Sequence, residues 1–567
     1  MRKPRWLIPI LLASALGLFV YACAKSNGKG NDGGGGAGGN GGGIGGNGGA
    51  SGSDLAGMGG GGDLAMGGGG SDLAAANDLA VHSASASVLQ YHLNSSRDGL
   101  YIDAAITKAA ASTFHVDASF TAKNLASPTY AQPLFVDGGA GGTDVLYVAT
   151  NQNKVYAFNA ATGAAMAGWP VTYDPPVALT QLKALPGLGS CGNISPTLGI
   201  LGTPVIDLPS RTLFFDEMTT PDGGQTLKHM IYGVSIDDGK KRAGFPVDVS
   251  AVVNGFDSKY QNQRSALIIA GGTLYVPYAG HIGDCTPFNG WVVAVPLSSP
   301  ASAHGWSTRA TGAGIWAPGG LSSDGTHIFA ATGNEKPAQN APGTWQDSEA
   351  IIRLDPGATY DPNSQVSWWA PPNWNALDQG DADIGGTGPM LITAPAATPS
   401  QLLVALGKNG YAYLLDPTNL GGISGGLVNK HVSSDAIRNG PASYTTAKGT
   451  YVVFKGTGLG CPAGQSGDLT ALKISGAPPT ITVAWCAAQN GTGSPIVTTT
   501  DGHNDAIVWS VGAENNNQLH GFDGDTGQEL TTPANLQMTA VQRFVTPIAA
   551  KGRIFVAANN QLFAFTK

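Results

Sequence analysis

Val145-Leu146-Tyr147-Val148-Ala149 leads into Lys154-Val155-Tyr156-Ala157-Phe158-Asn159 and then Thr162-Gly163: two short apolar strands, a polar residue closing the second, and a tight turn. The phrase returns near the C-terminus as Ala506-Ile507-Val508-Trp509, Gln518-Leu519-His520-Gly521-Phe522-Asp523 and Thr526-Gly527. Runs of Val, Ile, Tyr and Phe bounded by Gly, Asn and Asp read as strands. A short all-β unit recurring every roughly 40–60 residues marks a radial or stacked array rather than a string of unrelated domains.

Working outward, the pattern covers the chain from about residue 85 to Lys567, with no long stretch of helical periodicity. Eight units centre on residues 130–171, 199–250, 264–300, 313–357, 383–421, 439–487, 493–532 and 543–567; merging 439–487 with 493–532 leaves seven. Several units open on Pro followed by an apolar run, as at Pro133-Leu134-Phe135-Val136, Pro204-Val205-Ile206, Pro389-Met390-Leu391, Pro495-Ile496-Val497 and Pro547-Ile548. Proline lacks a ladder donor, so it fits the start of a strand near a ring axis. The last unit stops at Leu562-Phe563-Ala564-Phe565, short of an outer strand, and an unfinished blade leaves an open edge. The alternating segment Ser112-Thr113-Phe114-His115-Val116-Asp117-Ala118-Ser119-Phe120 is expected to supply the missing strand and close the ring. The fold class is therefore all-β, an eight-bladed β-propeller of four-stranded blades.

Charged residues are 12% of the chain and the net charge is −8, so a basic nucleic-acid footprint is excluded. Met1-Arg2-Lys3-Pro4-Arg5 is basic and Trp6 to Tyr21 is apolar, the layout of a secretory signal. Val20-Tyr21-Ala22-Cys23 resembles a bacterial lipobox, which implies a signal peptide over 1–22, lipidation of Cys23 and an outer-membrane lipoprotein, its face left open. Residues 23–84 are mostly Gly, Ala, Ser and Asn, with Asp-Leu-Ala recurring from Asp54, Asp63, Asp72 and Asp78. Too little apolar surface offsets the ordering entropy there, so the stretch reads as a flexible tether, with a reach of roughly 40 Å for about fifty residues. The propeller occupies 85–567.

Four cysteines follow Cys23: Cys191, Cys285, Cys461 and Cys486. An exported chain without Cys-x-x-Cys spacing favours disulfides over zinc. Cys461 with Cys486, inside one unit, and Cys191 with Cys285, in loops of adjacent units, are the expected pairs; the alternative leaves Cys191 or Cys285 free.

Ala157-Phe158-Asn159-Ala160-Ala161-Thr162-Gly163, with Trp169 after it, and His520-Gly521-Phe522-Asp523-Gly524-Asp525-Thr526-Gly527 resemble the quinoprotein-type (pyrroloquinoline quinone, PQQ-like) propeller repeat. That repeat serves enzymes, sensors and assembly lipoproteins, so it implies the fold and not an activity. In the alcohol dehydrogenases of this family three segments occur in the order found here. Thr332-Gly333-Asn334 resembles the one whose Asn ligates the metal. Asp378-Gln379-Gly380-Asp381-Ala382-Asp383 resembles the one whose first Asp is the catalytic base. Gly407-Lys408-Asn409-Gly410 resembles the one whose basic residue touches a quinone oxygen. Asp284 is the sole acid near the family's remaining metal-ligand position. The resemblance thus implies Asp378 as base, Lys408 at the cofactor, and Asn334 and Asp284 on calcium. Three departures stand beside it: no adjacent Cys pair, no Glu ahead of Gly290-Trp291-Val292, and Gly380 where the family has Trp.

Each piece also has a purely structural reading. Thr-Gly-Asn and Lys-Asn-Gly are turn signals, and loop carboxylates cap backbone amides. His281-Ile282-Gly283-Asp284 reads as a metal-site fragment or a simple hydrogen bond. Trp316, Trp345, Trp368, Trp369 and Trp374 either lock blades together or stack on sugars. The expectation is a monomeric, lipid-anchored binding or interaction module of the cell envelope, needing no cofactor, with a protein or glycan partner. Its alternative is a PQQ- and calcium-dependent alcohol dehydrogenase oxidising an alcohol or sugar.

Overall fold

The structure, a computed structural model, describes residues 86–567 except 127, 193, 284, 286 and 337–342. The segment 1–22, Cys23, the Gly-rich stretch 23–84 and Asp284 lie outside the described residues.

Eight β-sheets form the blades of a propeller. Blade 1 is typical: Leu134–Val136, Val145–Thr150, Lys154–Asn159 and Val171–Thr172 pair antiparallel in chain order, with Tyr147 opposite both Leu134 and Ala157. Val145–Thr150 is buried at every residue because each blade is covered on both faces by its neighbours. Such strands read as continuous apolar runs rather than alternating ones. Blades 2 to 6 begin at Val205, Ile268, Ser322, Met390 and Ala442, blade 7 at Ile496 and blade 8 at Ile548. Ala442–Ala487 and Ile496–Asp523 hold separate sheets, so the ring has eight blades, not seven. His115–Val116 pairs with Phe565 and Thr566 of the last strand and completes blade 8, as the truncated final unit requires.

The repeat's turn has a physical basis visible twice. Asn159 Oδ1 accepts from the amides of Ala161 (2.9 Å) and Thr162 (3.0 Å), and Asp523 Oδ1 accepts from Asp525 (2.9 Å) and Thr526 (3.0 Å). The following glycines, Gly163 and Gly527, both have φ of +73°, and a Cβ on Gly527 would lie 2.7 Å from the Trp485 ring of the preceding blade. Trp485, fully buried, donates its indole N–H to Gly524 O at 2.7 Å, and Tyr444 donates to the same carbonyl at 2.6 Å. The turn is thereby the socket into which the neighbouring blade plugs.

Residues 88–100, ahead of the first blade, fill the middle of the ring, an arrangement with no counterpart in the repeat. Val88 exchanges both backbone bonds with Phe135 of blade 1 (2.8 and 2.9 Å). The carbonyls of Leu89, Ser95, Ser96, Asp98 and Gly99 accept from Ile206, Ser323, Leu391, Ser443 and Val497 of blades 2, 4, 5, 6 and 7 at 2.7–2.9 Å. Arg97 reaches Leu267 O beside blade 3 (3.0 Å) and Leu321 O (2.6 Å), and Thr546 beside blade 8 donates to the Tyr91 hydroxyl (3.3 Å). Leu100–Ile102 then runs parallel to Ile496–Thr499 as an extra inner strand of blade 7. First strands need a partner on their axial side, and one extended segment supplies it to nearly all of them.

Both expected disulfides are present, Cys191–Cys285 with Cα atoms 5.9 Å apart and Cys461–Cys486 with Cα atoms 5.7 Å apart. Trp345, Trp368, Trp369 and Trp374 are buried between blades.

One interior acid gives a pH prediction. Glu217, in the strand Thr212–Thr219, is fully buried and neither carboxylate oxygen meets a donor among the described residues. Burial, then the charges of Asp174 and Asp216, push its pKa up to about 9 from 4.5. Between those values the folded chain keeps a proton the unfolded chain loses, so stability falls as pH rises through this window, by about 1.4 kcal/mol per unit. Glu217→Gln is expected to match the parent near pH 4 and to exceed it by about 3 kcal/mol at pH 7. Urea unfolding at both pH values checks this; an unchanged pH slope would refute it.

Candidate functional site

The connections that enter each blade's first strand and those between its second and third strands gather at one end of the ring axis. They enclose a cavity of about 540 Å³. Tyr130, Arg264, Arg438 and Phe544 line it, and each stands four residues ahead of its blade's first strand, which begin at Leu134, Ile268, Ala442 and Ile548. Trp316, ahead of blade 4, joins them, as do Gly333, Asn334 and Lys408 from the second-to-third connections of blades 4 and 5. A cavity of similar size at the opposite end is lined largely by residues 86–104, so segment 88–100 separates the two.

Asp383 is the hub of the first cavity. It is 2% exposed, and its Oδ2 accepts from Trp316 Nε1 at 2.8 Å and from Lys408 Nζ at 3.1 Å. The Asn334 amide, turned to suit its neighbours, donates to Asp383 Oδ1 at 3.1 Å and accepts from Lys336 Nζ at 2.8 Å. Lys408 also reaches Asp381 Oδ1 at 3.0 Å, and its ammonium lies 5.2 Å from the centre of the Trp316 ring. Burial disfavours that ammonium, but Asp383 and Asp381 outweigh it and its pKa is raised. Burial raises Asp383 as well, with Lys408 opposing.

Of the four residues that the sequence resemblance singled out, the three that are described part in space. Asn334 and Lys408 share the cavity. Asp378 does not line it: it lies in the helix Trp374–Gly380, 2% exposed, with Oδ1 accepting from the Glu335 amide (2.7 Å) and Oδ2 from Ser348 Oγ (2.9 Å). Burial pushes Asp378 up to about 6 against those two bonds. The helix ends where Asp381 turns left-handed (φ 50°, ψ 44°), and that turn carries Asp381 and Asp383, not Asp378, to the cavity. Asp284 is outside the described residues, while Ile282 and Gly283 beside it line the cavity. His281 also lines it, its Nε2 meets Lys259 O at 3.0 Å, and burial lowers its pKa to about 4.

Sequence reasoning passed over Arg264 and Arg438, and within the Asp378–Asp383 segment it gave the prominent role to Asp378 rather than Asp383. The signal for the two arginines was their shared offset of four residues ahead of Ile268 and Ala442, where their blades' first strands begin. Arg264 is half-buried, its guanidinium 4.5 Å from the Phe544 ring centre and 5.9 Å from that of Tyr130. Burial lowers its pKa to about 10. Neither Arg264 nor Arg438 makes a hydrogen bond or ion pair with the described residues, whereas Arg543 is held by Glu514 at 3.0 Å.

Solved structures share this architecture. The quinohemoprotein alcohol dehydrogenase ADHIIG from Pseudomonas putida HK5 superposes with a TM-score of 0.60 at 12% identity, over 85% of this chain and 80% of that one. The fold is that of the quinoprotein propellers. The quinohemoprotein alcohol dehydrogenase of Comamonas testosteroni gives 0.56 at 14% identity over 84% and 80% of the two chains. A europium-containing methanol dehydrogenase gives 0.55 at 12% identity over 85% and 98%. No protein-family profile and no curated protein matches the chain. At these identities the PQQ-like propeller is shared as a fold.

The groups that the fold implies can be tested against the donors present. A planar polyanion suits the cavity: Trp316 offers a ring face, and Lys408, Arg264 and Arg438 offer charge. Calcium does not suit it, because Asp383 Oδ2 already accepts from Trp316 and Lys408, the Asn334 amide is best satisfied with its nitrogen on Asp383, and no set of three His, Cys, Asp or Glu able to hold a metal occurs among the described residues.

Proposed function

We propose that this chain is an exported, lipid-anchored binding protein of the cell envelope whose propeller takes up a small planar organic anion in the channel mouth. The observation that carries this reading is Arg264, a half-buried guanidinium aimed at a 540 Å³ cavity with no carboxylate on it. A cation withdrawn from water costs free energy unless an anion accompanies it, so the site is built for a ligand that brings the charge. The two disulfides and the lipobox-like Val20-Tyr21-Ala22-Cys23 support export and anchoring at Cys23.

PQQ, a planar tricarboxylate, meets these requirements and is the first probe. Calorimetric titration into the full chain is expected to give saturable binding, weakened about tenfold (about 1.4 kcal/mol) by Trp316→Ala through loss of stacking. Unchanged affinity in Trp316→Ala removes the cavity from the reading.

The dehydrogenase reading stands second. When bound, the quinone would supply an electron acceptor, and the carboxylate facing it would be Asp383, since Asp378 is turned away. Dye-linked oxidation of alcohols by the quinone-loaded chain tests it; absence of turnover leaves the binding protein.

A further inference from the structure

A quinoprotein-like cavity raises the question of which group supplies positive charge to the ligand. Among the described residues the side-chain oxygens gathered beside Lys408 belong to Asn334, Asp381 and Asp383, and protein donors reach them; Glu514 and Asn262 also line the cavity, Glu514 held by Arg543 and Asn262 Oδ1 without a hydrogen-bond partner. Lys336 Nζ sits 2.8 Å from the Asn334 amide oxygen, and Lys408 Nζ lies 3.0 Å from Asp381 and 3.1 Å from Asp383. Trp316 Nε1 and the Asn334 amide nitrogen occupy the remaining approaches to Asp383. A calcium ion needs about six to eight oxygen ligands with free lone pairs at roughly 2.3–2.6 Å. Entry of one would break these bonds and place two positive charges beside ammonium groups in a partly dehydrated site, where repulsion is strong.

We infer that the channel mouth binds its anionic ligand without a divalent cation, the Lys408 ammonium taking the part that a metal would play. The statement rests on the reading of the cavity as an organic-anion site. Lys408 is suited to it: the side chain is 13% exposed, fixed between two carboxylates and stacked over Trp316, so its charge is oriented before a ligand arrives. Asp381 and Asp383 compensate that charge, and Arg264 and Arg438, which make no ion pair with the described residues, are left to meet the ligand's own carboxylates.

The experiment titrates PQQ into the full chain by calorimetry, once after treatment with EDTA and once with excess calcium chloride. Affinities within about twofold of each other are expected, and Lys408→Gln is expected to weaken binding by about tenfold or more in both buffers while Lys408→Arg keeps most of it. Tightening by calcium of about tenfold or more in the parent chain overturns the inference and leaves the anion site standing. An unchanged affinity in Lys408→Gln overturns it as well, and absence of heat in both buffers removes the site and the inference together. Terbium(III) luminescence on the parent chain needs no Lys408 variant: no saturable signal traceable to this site is expected, and a saturable signal lost in Asp383→Asn overturns the inference.

Discussion

A chain that begins at residue 121 is expected not to fold. It lacks the closing strand His115–Val116, the inner strand Leu100–Ile102 and the axial segment 88–100, so the last strand Gln561–Thr566 is left with an open edge and six blades lose inner-strand partners. It also loses Val88, Tyr101, Ile106, Phe114 and Phe120 from the cluster that joins blades 7, 8 and 1. Removing even one such aromatic costs about 3–5 kcal/mol, against a total stability of about 5–15 kcal/mol. Expression of this truncation should yield aggregate, whereas a chain beginning at residue 86, which keeps every described residue, should elute as a compact species and melt cooperatively. A soluble, cooperatively melting protein from residue 121 would show that the axial segment and closing strand are ornaments of the ring.

Trp485→Ala is expected to lower stability by about 3–5 kcal/mol and Trp485→Phe by about 1–2 kcal/mol. The indole is fully buried in the cluster between blades 6 and 7, and it both packs on Gly527 and donates to Gly524 O. Alanine leaves a cavity at the blade junction; phenylalanine fills most of it and loses the hydrogen bond. Chemical unfolding of the three proteins separates packing from hydrogen bonding, and equal losses in both variants would mean that the bond to Gly524 holds the junction alone.

Much of the ring was legible before any coordinates. Strand-turn-strand phrases such as Val145 to Gly163 pair locally, within a few tens of residues, and the same local chemistry makes the two copies that carry the phrase most clearly: an Asn or Asp that caps two turn amides, then a glycine at φ +73° with no room for a Cβ. Pro133, Pro204, Pro389, Pro495 and Pro547 each fall one residue before an observed first strand. The missing outer strand of the last unit pointed correctly to Ser112–Phe120, because an open edge in a ring has one remedy. Cysteine pairing followed from the units as well.

The site was legible only in part. Asn334 and Lys408 met as the motif order implied, but within Asp378-Gln379-Gly380-Asp381-Ala382-Asp383 the sequence carries no mark of which carboxylate faces the cavity. A single left-handed residue at the helix end, Asp381, makes that choice. Arg97 illustrates the same limit at the axis: it is 3% exposed, donates to Leu321 O, Tyr91 O and Leu267 O, and burial lowers its pKa to about 9. Its partners lie up to 224 positions away, and nothing in the segment's own pattern announces them.

The sequence by itself determined the blade and the strand that closes the ring, since these depend on hydrogen bonding and burial between neighbours in the chain, while the choice of eight blades over seven came from the separate sheets of Ala442–Ala487 and Ile496–Asp523. Tertiary structure alone decided what fills the axis and which side chains face the cavity. Those positions bring together residues from every part of the chain, and each one's exposure is set by ring geometry rather than by the residues beside it.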